Sequence, residues 1–418
     1  MGRAAHLRSS AGPRLAGALA ALACLLAGTG PATAVRAAEQ AQPALAAKLD
    51  RALAAPQISR ALTGALALDL RSGKAVFGLN QRRSLAPAST EKLAVAYVAL
   101  YVLGADFRIE TDVLGEGQLS DSTWQGHLVL KGFGDPTLSR ADLRALALGV
   151  RRFGIRAVTG GVVGDESYFD SRRIVTGWKP WWLINESPAL SALVVDRGRY
   201  QGVPSRNPAL AAAVAFREEL LRAGVAVAGR ARVARWAAAD FPLAFVHSEP
   251  LESLVRTMGV ESDNFTAEML LKQLGGYETG RGTSEAGAAI VTSVLRTVGV
   301  PLGGVRVVDG SGLSSLDRLT AASLVALLRA AWLDQDVRTG FIRSLPVAGV
   351  TGTLSDRLRR APARGRVLAK TGTTSRASTL AGFVGNRYAF AVLHNGRPVA
   401  TWYARSAQDR FVTVLASQ

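Results

Sequence analysis

Apolar positions along the chain fall into three textures. Residues 39–62 carry helical spacing. Then "ALALDL" (65–70) alternates, "RSGK" (71–74) turns and "AVFGLN" (75–80) returns, which predicts a hairpin. "LAPAST" (85–90) opens a helix. Pro87 precedes the Ser89-Thr90 pair, Glu91 falls in the first turn, and Leu93, Ala94, Tyr97, Val98 and Leu100 supply an apolar face. From about 105 to 245 the pattern breaks into short strands separated by Gly, Asp and Pro turns, as in "HLVLKGFGDPTLS" (127–139) and "GGVVGDESYFD" (160–170). Trp178, Trp181 and Trp182 cluster here, a pattern more typical of packing than of a binding platform. From 246 helical spacing returns in "LESLVRTMGV" (251–260), "NFTAEMLLKQLGG" (264–276) and "SEAGAAIVTSVLRTVGV" (284–300). "VLAKTGTT" (367–374), "STLAGFVG" (378–385) and "YAFAVLHNG" (388–396) read as consecutive antiparallel strands, and 402–416 as a closing helix.

Strands at both ends with helices between predict an α/β layer structure closed by its own termini. Its main domain is expected at 39–104 plus 246–418, with a β-containing domain inserted at 105–245. No repeat with a period of 20–50 residues is present.

The first 38 residues read as an export signal. Arg3, Arg8 and Arg14 form a basic start, and Leu15 to Gly28 is an apolar run shorter than the roughly 20 residues a bilayer span needs. Ala32, Ala34, Ala37 and Ala38 offer a cleavage site; the alternative is an uncleaved anchor. Cleavage after Ala34 or Ala38 would remove Cys24, the single cysteine, and a lone cysteine allows no disulfide framework within the chain. No other stretch reads as a membrane span, so the mature protein is expected to have none.

With 48% hydrophobic and 20% charged residues, the 418-residue chain sustains a large core and is not globally disordered. The formal charge of +18 is compatible with nucleic acid, anionic lipid or an anionic cell wall. The basic residues are nearly all Arg, the lysines being only Lys48, Lys74, Lys92, Lys131, Lys179, Lys272 and Lys370. In a chain rich in Ala, Gly and Val this points to coding bias. No Arg cluster is interleaved with aromatics, and with the export signal this argues against a nucleic-acid partner. His6, His127, His247 and His394 form no metal-spaced pair, no Gly-x-Ser-x-Gly elbow occurs, and no Gly-Lys loop is built to cradle phosphate. Neither a metal nor a cofactor is expected.

Three short patterns carry chemistry. Ser89 and Lys92 lie three apart at a helix start, on one face and within mutual reach. A helix amino terminus favours a developing alkoxide, and a lysine made neutral by burial can take the Ser proton. Ser262 and Asn264 lie two apart between apolar helices, able to point into one cleft. A second match, Ser205-Arg206-Asn207, sits between Pro204 and Pro208 in an expected exposed loop. Lys370-Thr371-Gly372-Thr373 places a cation, two hydroxyls and a glycine on a strand, which suits a substrate ending in a carboxylate.

In their order and separation these patterns are the serine acylation set of penicillin-binding proteins and serine β-lactamases. The chain most resembles the D-Ala-D-Ala carboxypeptidase/endopeptidase family, the class C low-molecular-mass penicillin-binding proteins. The resemblance rests on "LAPASTEKL" (85–93), "KGFGDPTLS" (131–139), "MGVESDNFTAEMLLKQLG" (258–275), "VVDGSGLSSLDRLT" (307–320), "LPVAGVTGTLSDRL" (345–358) and "AKTGTTSRASTLAGFV" (369–384). It departs at Asp317, where Asn is expected, and in an insert that looks short for the family.

The resemblance implies a transpeptidase-like fold, an antiparallel sheet flanked by helices with a β-rich insert. It implies an exported carboxypeptidase acting on peptidoglycan stem peptides, acylated by β-lactams, with its share of D,D-endopeptidase action left open. Ser89 would be the nucleophile and Lys92 the base. Ser262 and Lys370 would pass a proton to the leaving D-Ala, Asn264 would bind the peptide backbone, and Lys370, Thr371 and Thr373 would hold the terminal carboxylate. The N–H groups of Ser89 and Thr373 would form the oxyanion hole, and Gly372 would permit close backbone approach of the substrate. The rivals are a non-catalytic wall-binding protein of the same fold, and a β-lactamase whose water-activating carboxylate would be Glu268, Glu278 or Glu285.

Overall fold

The computed structural model describes residues 43–236 and 241–418. The export-signal reading and Cys24 lie outside the described residues. Among those described, no helix is long and apolar enough to cross a membrane.

Helix α1 (Pro43–Leu53) ends just before Pro56, short of the helical stretch predicted to 62, because a proline cannot donate to a continuing turn. The hairpin β1 (Thr63–Asp69) and β2 (Ala75–Leu79) follows. Asp69 accepts from the N–H groups of Arg71 and Ser72 at 2.9 and 3.0 Å, and Gly73 supplies the left-handed residue (φ 69°) that closes the turn. A short 3-10 turn (Ala88–Glu91) then leads into α2 (Lys92–Leu103).

The insert contains β3 (Glu110–Ser120), β4 (Thr123–Gly132), α3 (Arg140–Arg152), β5 (Ala157–Val158), β6 (Val162–Asp165), β7 (Arg199–Tyr200), β8 (Val203–Pro204), α4 (Pro208–Arg222), β9 (Ala226–Val227), β10 (Arg232–Val233) and β11 (Phe241–His247). The chain continues through α5 (Leu251–Val260), α6 (Asn264–Thr279), α7 (Ser284–Thr297), α8 (Ala321–Leu333) and α9 (Gln335–Arg343). It closes with β12 (Val367–Thr373), β13 (Ala377–Val384), β14 (Tyr388–Asn395) and α10 (Thr401–Ala416).

The main sheet runs β12-β13-β14-β1-β2, antiparallel throughout. Its closure is the pairing of β1 with β14, from Thr63↔His394 to Asp69↔Tyr388. Both faces are covered, so β13 and β14 are apolar at nearly every position. Leu380, Val384, Phe390 and Val392 join the layer of α1 and α10, while Ala381, Phe383, Ala389, Ala391 and Leu393 join the layer of α2 and α8. Helix α2 is buried on all sides from Lys92 to Leu100, not only on the face expected from its sequence. It runs through the middle of the helical layer and has no solvent side.

The insert is more than a β domain. Strand β4 pairs in parallel with β6, and β6 with β10. Parallel strands need crossovers, and α3 and α4 provide them, packing Leu143, Leu146, Val150, Phe216 and Leu220 against Val113, Leu128 and Leu130 of the sheet. Ser139 and Asp142 close the start of α3 with a capping box. The insert seats on α6 through apolar contacts of Phe169, Val175, Trp178 and Leu190 with Phe265 and Met269. The buried Lys272 of α6 pairs there with Asp170 of the insert.

Candidate active site

Three elements meet at the start of α2. The edge strand β12 lies against the 3-10 turn at Gly372, where an added Cβ would sit 2.9 Å from Ser89 N, 2.9 Å from the Pro87 carbonyl and 2.2 Å from Thr379 Oγ1. Only a glycine allows the approach. We expect Gly372→Ala to push β12 from the helix start, costing about 1–3 kcal/mol of stability and about 100-fold in the second-order acylation rate. Thermal unfolding and stopped-flow labelling with a fluorescent penicillin would measure the two effects; unchanged labelling would refute this.

From the other side comes the junction of α5 and α6. Ser262 adopts a left-handed backbone (φ 59°), a conformation that costs a non-glycine residue about 1–3 kcal/mol and is held only by its surroundings. Those surroundings are the bond from Asp263 N to the Met258 carbonyl (3.0 Å), the cap that Asp263 forms on α6 with Thr266 N (3.1 Å), and the bidentate pair of Asp263 with Arg197 of the insert (2.6 and 3.0 Å). Arg197 and the hydrogen bonds to Thr266 hold the Asp263 carboxyl below its ordinary pKa, outweighing the burial that raises it.

At the centre, Lys92 Nζ touches three oxygens: Ser311 O at 2.7 Å, Asn264 Oδ1 at 2.8 Å and Ser89 Oγ at 3.1 Å. Burial lowers the Lys92 pKa to about 8, against the upward pull of Asp309, Glu268, Asp263 and Glu91. A neutral amine has two N–H bonds and one lone pair. With Ser311 O and Asn264 Oδ1 taking the N–H bonds, the lone pair is left for the Ser89 hydroxyl.

The Ser311 carbonyl is delivered by a loop folded around two buried carboxyls. Glu268 accepts from Gly310 N (3.0 and 3.1 Å) and Ser311 N (2.8 Å). Asp309 accepts from Gly312 N (2.6 Å), Ser314 N (2.7 Å) and Trp178 Nε1 (2.7 Å). Gly312 (φ 79°) leaves no room for a side chain against Ala88 O. Burial, then the nearby Asp309, pushes Glu268 up to about 8. Glu91, expected in an ordinary first turn, is fully buried with both carboxyl oxygens unpartnered; burial, Asp309 and Glu268 raise its pKa well above the usual range. Asp317 takes the N–H groups of Val308 (2.7 Å) and Asp309 (3.3 Å), and its pKa is likewise raised by burial and by Asp309.

Lys370 is buried beneath the strand, donating to Thr371 O (2.9 Å). Burial first and the neighbouring Lys92 second press its pKa well below the usual lysine value. Ser89, Ser262, Thr371 and Thr373 line one open cleft of about 380 Å³, together with Thr353, Asp356, Arg357 and Arg405. Asn264 sits below, its Nδ2 donating to the Glu186 carbonyl of the insert (3.0 Å). The second Ser-x-Asn match lies elsewhere, with Asn207 capping α4.

None of the carboxylates weighed for water activation lines the cleft. Glu268 is bound to the Gly310–Ser311 backbone, Glu278 lies in the last turn of α6, and Glu285 pairs with Arg172 at 2.5 Å. Sequence reasoning did not single out the Ser311 carbonyl, Asp309 or Arg405. The first two lie in the "VVDGSGLSSLDRLT" block, which entered the sequence reading only through the family resemblance. Arg405 carries no local signal at all.

The family model described as "D-Ala-D-Ala carboxypeptidase 3 (S13) family" matches residues 45–203 and 199–418. A D-alanyl-D-alanine carboxypeptidase of Actinomadura sp. is 32% identical over 83% of this chain and 80% of its own length. A carboxypeptidase of Mycobacterium tuberculosis is 34% identical over 79% of this chain and 75% of its own. The crystal structure of penicillin binding protein 4 from Haemophilus influenzae shares the fold, with a TM-score of 0.78 and 23% identity over 87% of this chain and 98% of that one.

Proposed function

The chain belongs to the D-Ala-D-Ala carboxypeptidase 3 (S13) family and is a serine peptidase of it; from that premise we propose that it cleaves the terminal D-Ala from peptidoglycan stem peptides through an acyl-enzyme on Ser89. The observation that carries the proposal is the set of bonds around Lys92: two acceptors occupy its N–H bonds, and the third contact is the Ser89 hydroxyl at 3.1 Å. Ser89 Oγ attacks the carbonyl of the penultimate D-Ala as its proton passes to Lys92. The oxyanion forms beside the N–H groups of Ser89 and Thr373, donors worth about 3 kcal/mol each in other enzymes. Ser262 and Lys370 relay that proton from Lys92 to the departing amine, which leaves Lys92 neutral. Water then enters, is deprotonated by Lys92, and releases the shortened peptide. Asn264 fixes Lys92 and keeps one N–H for the substrate backbone.

A crosslink between stem peptides presents the same D-Ala carbonyl with a larger leaving group, so D,D-endopeptidase action needs no other chemistry. The substrate places the enzyme outside the cytoplasmic membrane, in the periplasm, cell wall or extracellular space. β-Lactams mimic the scissile amide and acylate Ser89. Brief exposure to benzylpenicillin is expected to add one drug mass to the protein, on the peptide containing Ser89, by intact-mass and peptide mapping. Folded protein without the adduct would favour a non-catalytic wall-binding role, and rapid turnover of nitrocefin would favour a β-lactamase.

A further inference from the structure

Among the described residues, Lys92, Lys370, Arg357 and Arg405 lie at the site, and the first three are committed to partners of the fold. Lys92 is bound to three oxygens. Lys370 is buried, with its ammonium on the Thr371 carbonyl and not among the groups lining the cleft. Arg357 lines the cleft but is tied to α10, with Nη2 at 2.7 Å from Asp409 Oδ1 and 3.1 Å from Gln408 Oε1. Its side chain is only 13% exposed.

Arg405, on α10, differs from these. It is exposed, it lines the cleft, and its Nη2 donates to Thr373 Oγ1 at 3.2 Å. It forms no salt bridge among the described residues, including with Asp356, the one carboxylate on the same rim. A guanidinium stays charged at any working pH and offers a planar fork of N–H donors that matches a carboxylate. A buried lysine flanked by another lysine does neither.

The geometry points to Arg405 as the charge partner of the substrate's terminal carboxylate, which would be held on the cleft side of the guanidinium beside the hydroxyl of Thr373. The inference rests on the carboxypeptidase reading above and divides the work that sequence comparison assigned to Lys370. Arg405 recognises the charge, Thr371 and Thr373 orient the group, and Lys370 is left to proton transfer. Because the rim is open to water, the contribution is that of an exposed charge-assisted bond, about 10–100-fold in kcat/KM.

The test compares two probes, an Nα,Nε-diacetyl-Lys-D-Ala-D-Ala peptide and its C-terminal amide, on wild type, Arg405→Ala, Arg405→Gln and Arg405→Lys. Wild type is expected to prefer the free acid by about 10–100-fold, and the Ala and Gln variants to narrow the preference to about threefold or less by losing rate only on the acid. Arg405→Lys should recover part of it. An acid-to-amide ratio in Arg405→Ala equal to that of wild type, or equal losses on both probes, overturns the inference and leaves the carboxypeptidase reading standing. A wild type that hydrolyses neither probe sinks that reading, and the role of Arg405 with it.

Discussion

Ser89→Ala is expected to abolish the benzylpenicillin adduct and to lower peptide hydrolysis by on the order of 10⁶-fold, the loss seen when a nucleophile is removed from a serine hydrolase. The fold should survive. Ser89 is half-buried in a 3-10 turn held by backbone bonds, and among the described residues its side chain bonds only to Lys92. A substitution of this kind away from the packed core shifts the unfolding midpoint by about 2 °C or less. The two measurements belong together. A missing adduct on a protein of unchanged melting temperature assigns the chemistry to the hydroxyl, whereas retained labelling would move the nucleophile elsewhere.

The second large effect concerns Lys92. Lys92→Met keeps the length of the side chain and removes the amine, and acylation should fall by about 10²–10⁴-fold, the usual contribution of a positioned base. The wild-type enzyme should also show the base in its pH profile. The amine is useful only when neutral. Burial has lowered its pKa from 10.5 to about 8, so the active form makes up about a tenth of the molecules at pH 7, against roughly one in 3,000 for an ordinary lysine. The acylation rate should therefore rise about tenfold per pH unit below 8 and level off above it. Asp309, Glu268, Asp263 and Glu91 pull the Lys92 pKa upward against the burial that lowers it, and the position of the limb reports the balance. A flat profile from pH 6 to 9 in wild type would remove Lys92 from the role of base.

The buried carboxyls also bear on the rival readings. A β-lactamase that uses a Glu-activated water needs a carboxylate open to the acyl-enzyme, and Glu268 is instead committed to the loop that carries Ser311. It acts on Lys92 through the Ser311 carbonyl it positions and by its own upward pull on the Lys92 pKa. Insert and site are likewise coupled. Asp263 answers to Arg197, Asn264 to Glu186 and Asp309 to Trp178, so the tryptophan that looked like packing is packing with a polar contact to the active-site loop.

What the amino-acid order determined by itself were the elements whose chemistry is local. A strand buried on both faces must be apolar along its length, and β13 and β14 were visible for that reason. The Ser-Lys spacing follows from the helix that carries it, and Gly372 from the close approach of β12 to the helix start. The helices of the insert were missed because turn residues dominated the reading between 105 and 245, although Leu143, Leu146, Ala147 and Val150 fall at helical spacing. Only the tertiary structure decided which groups surround Lys92. A carbonyl such as that of Ser311 belongs to every residue and leaves no mark in a sequence. The raised pKa of Glu91 depends first on water being excluded by chains far away in order. Arg405 reaches Thr373 because β1 pairs with β14 and α10 then packs back across the sheet. Local propensity depends on neighbours in the chain, whereas burial and electrostatic partnership depend on neighbours in space, and here the latter come from segments that stand 331 residues apart at Thr63 and His394.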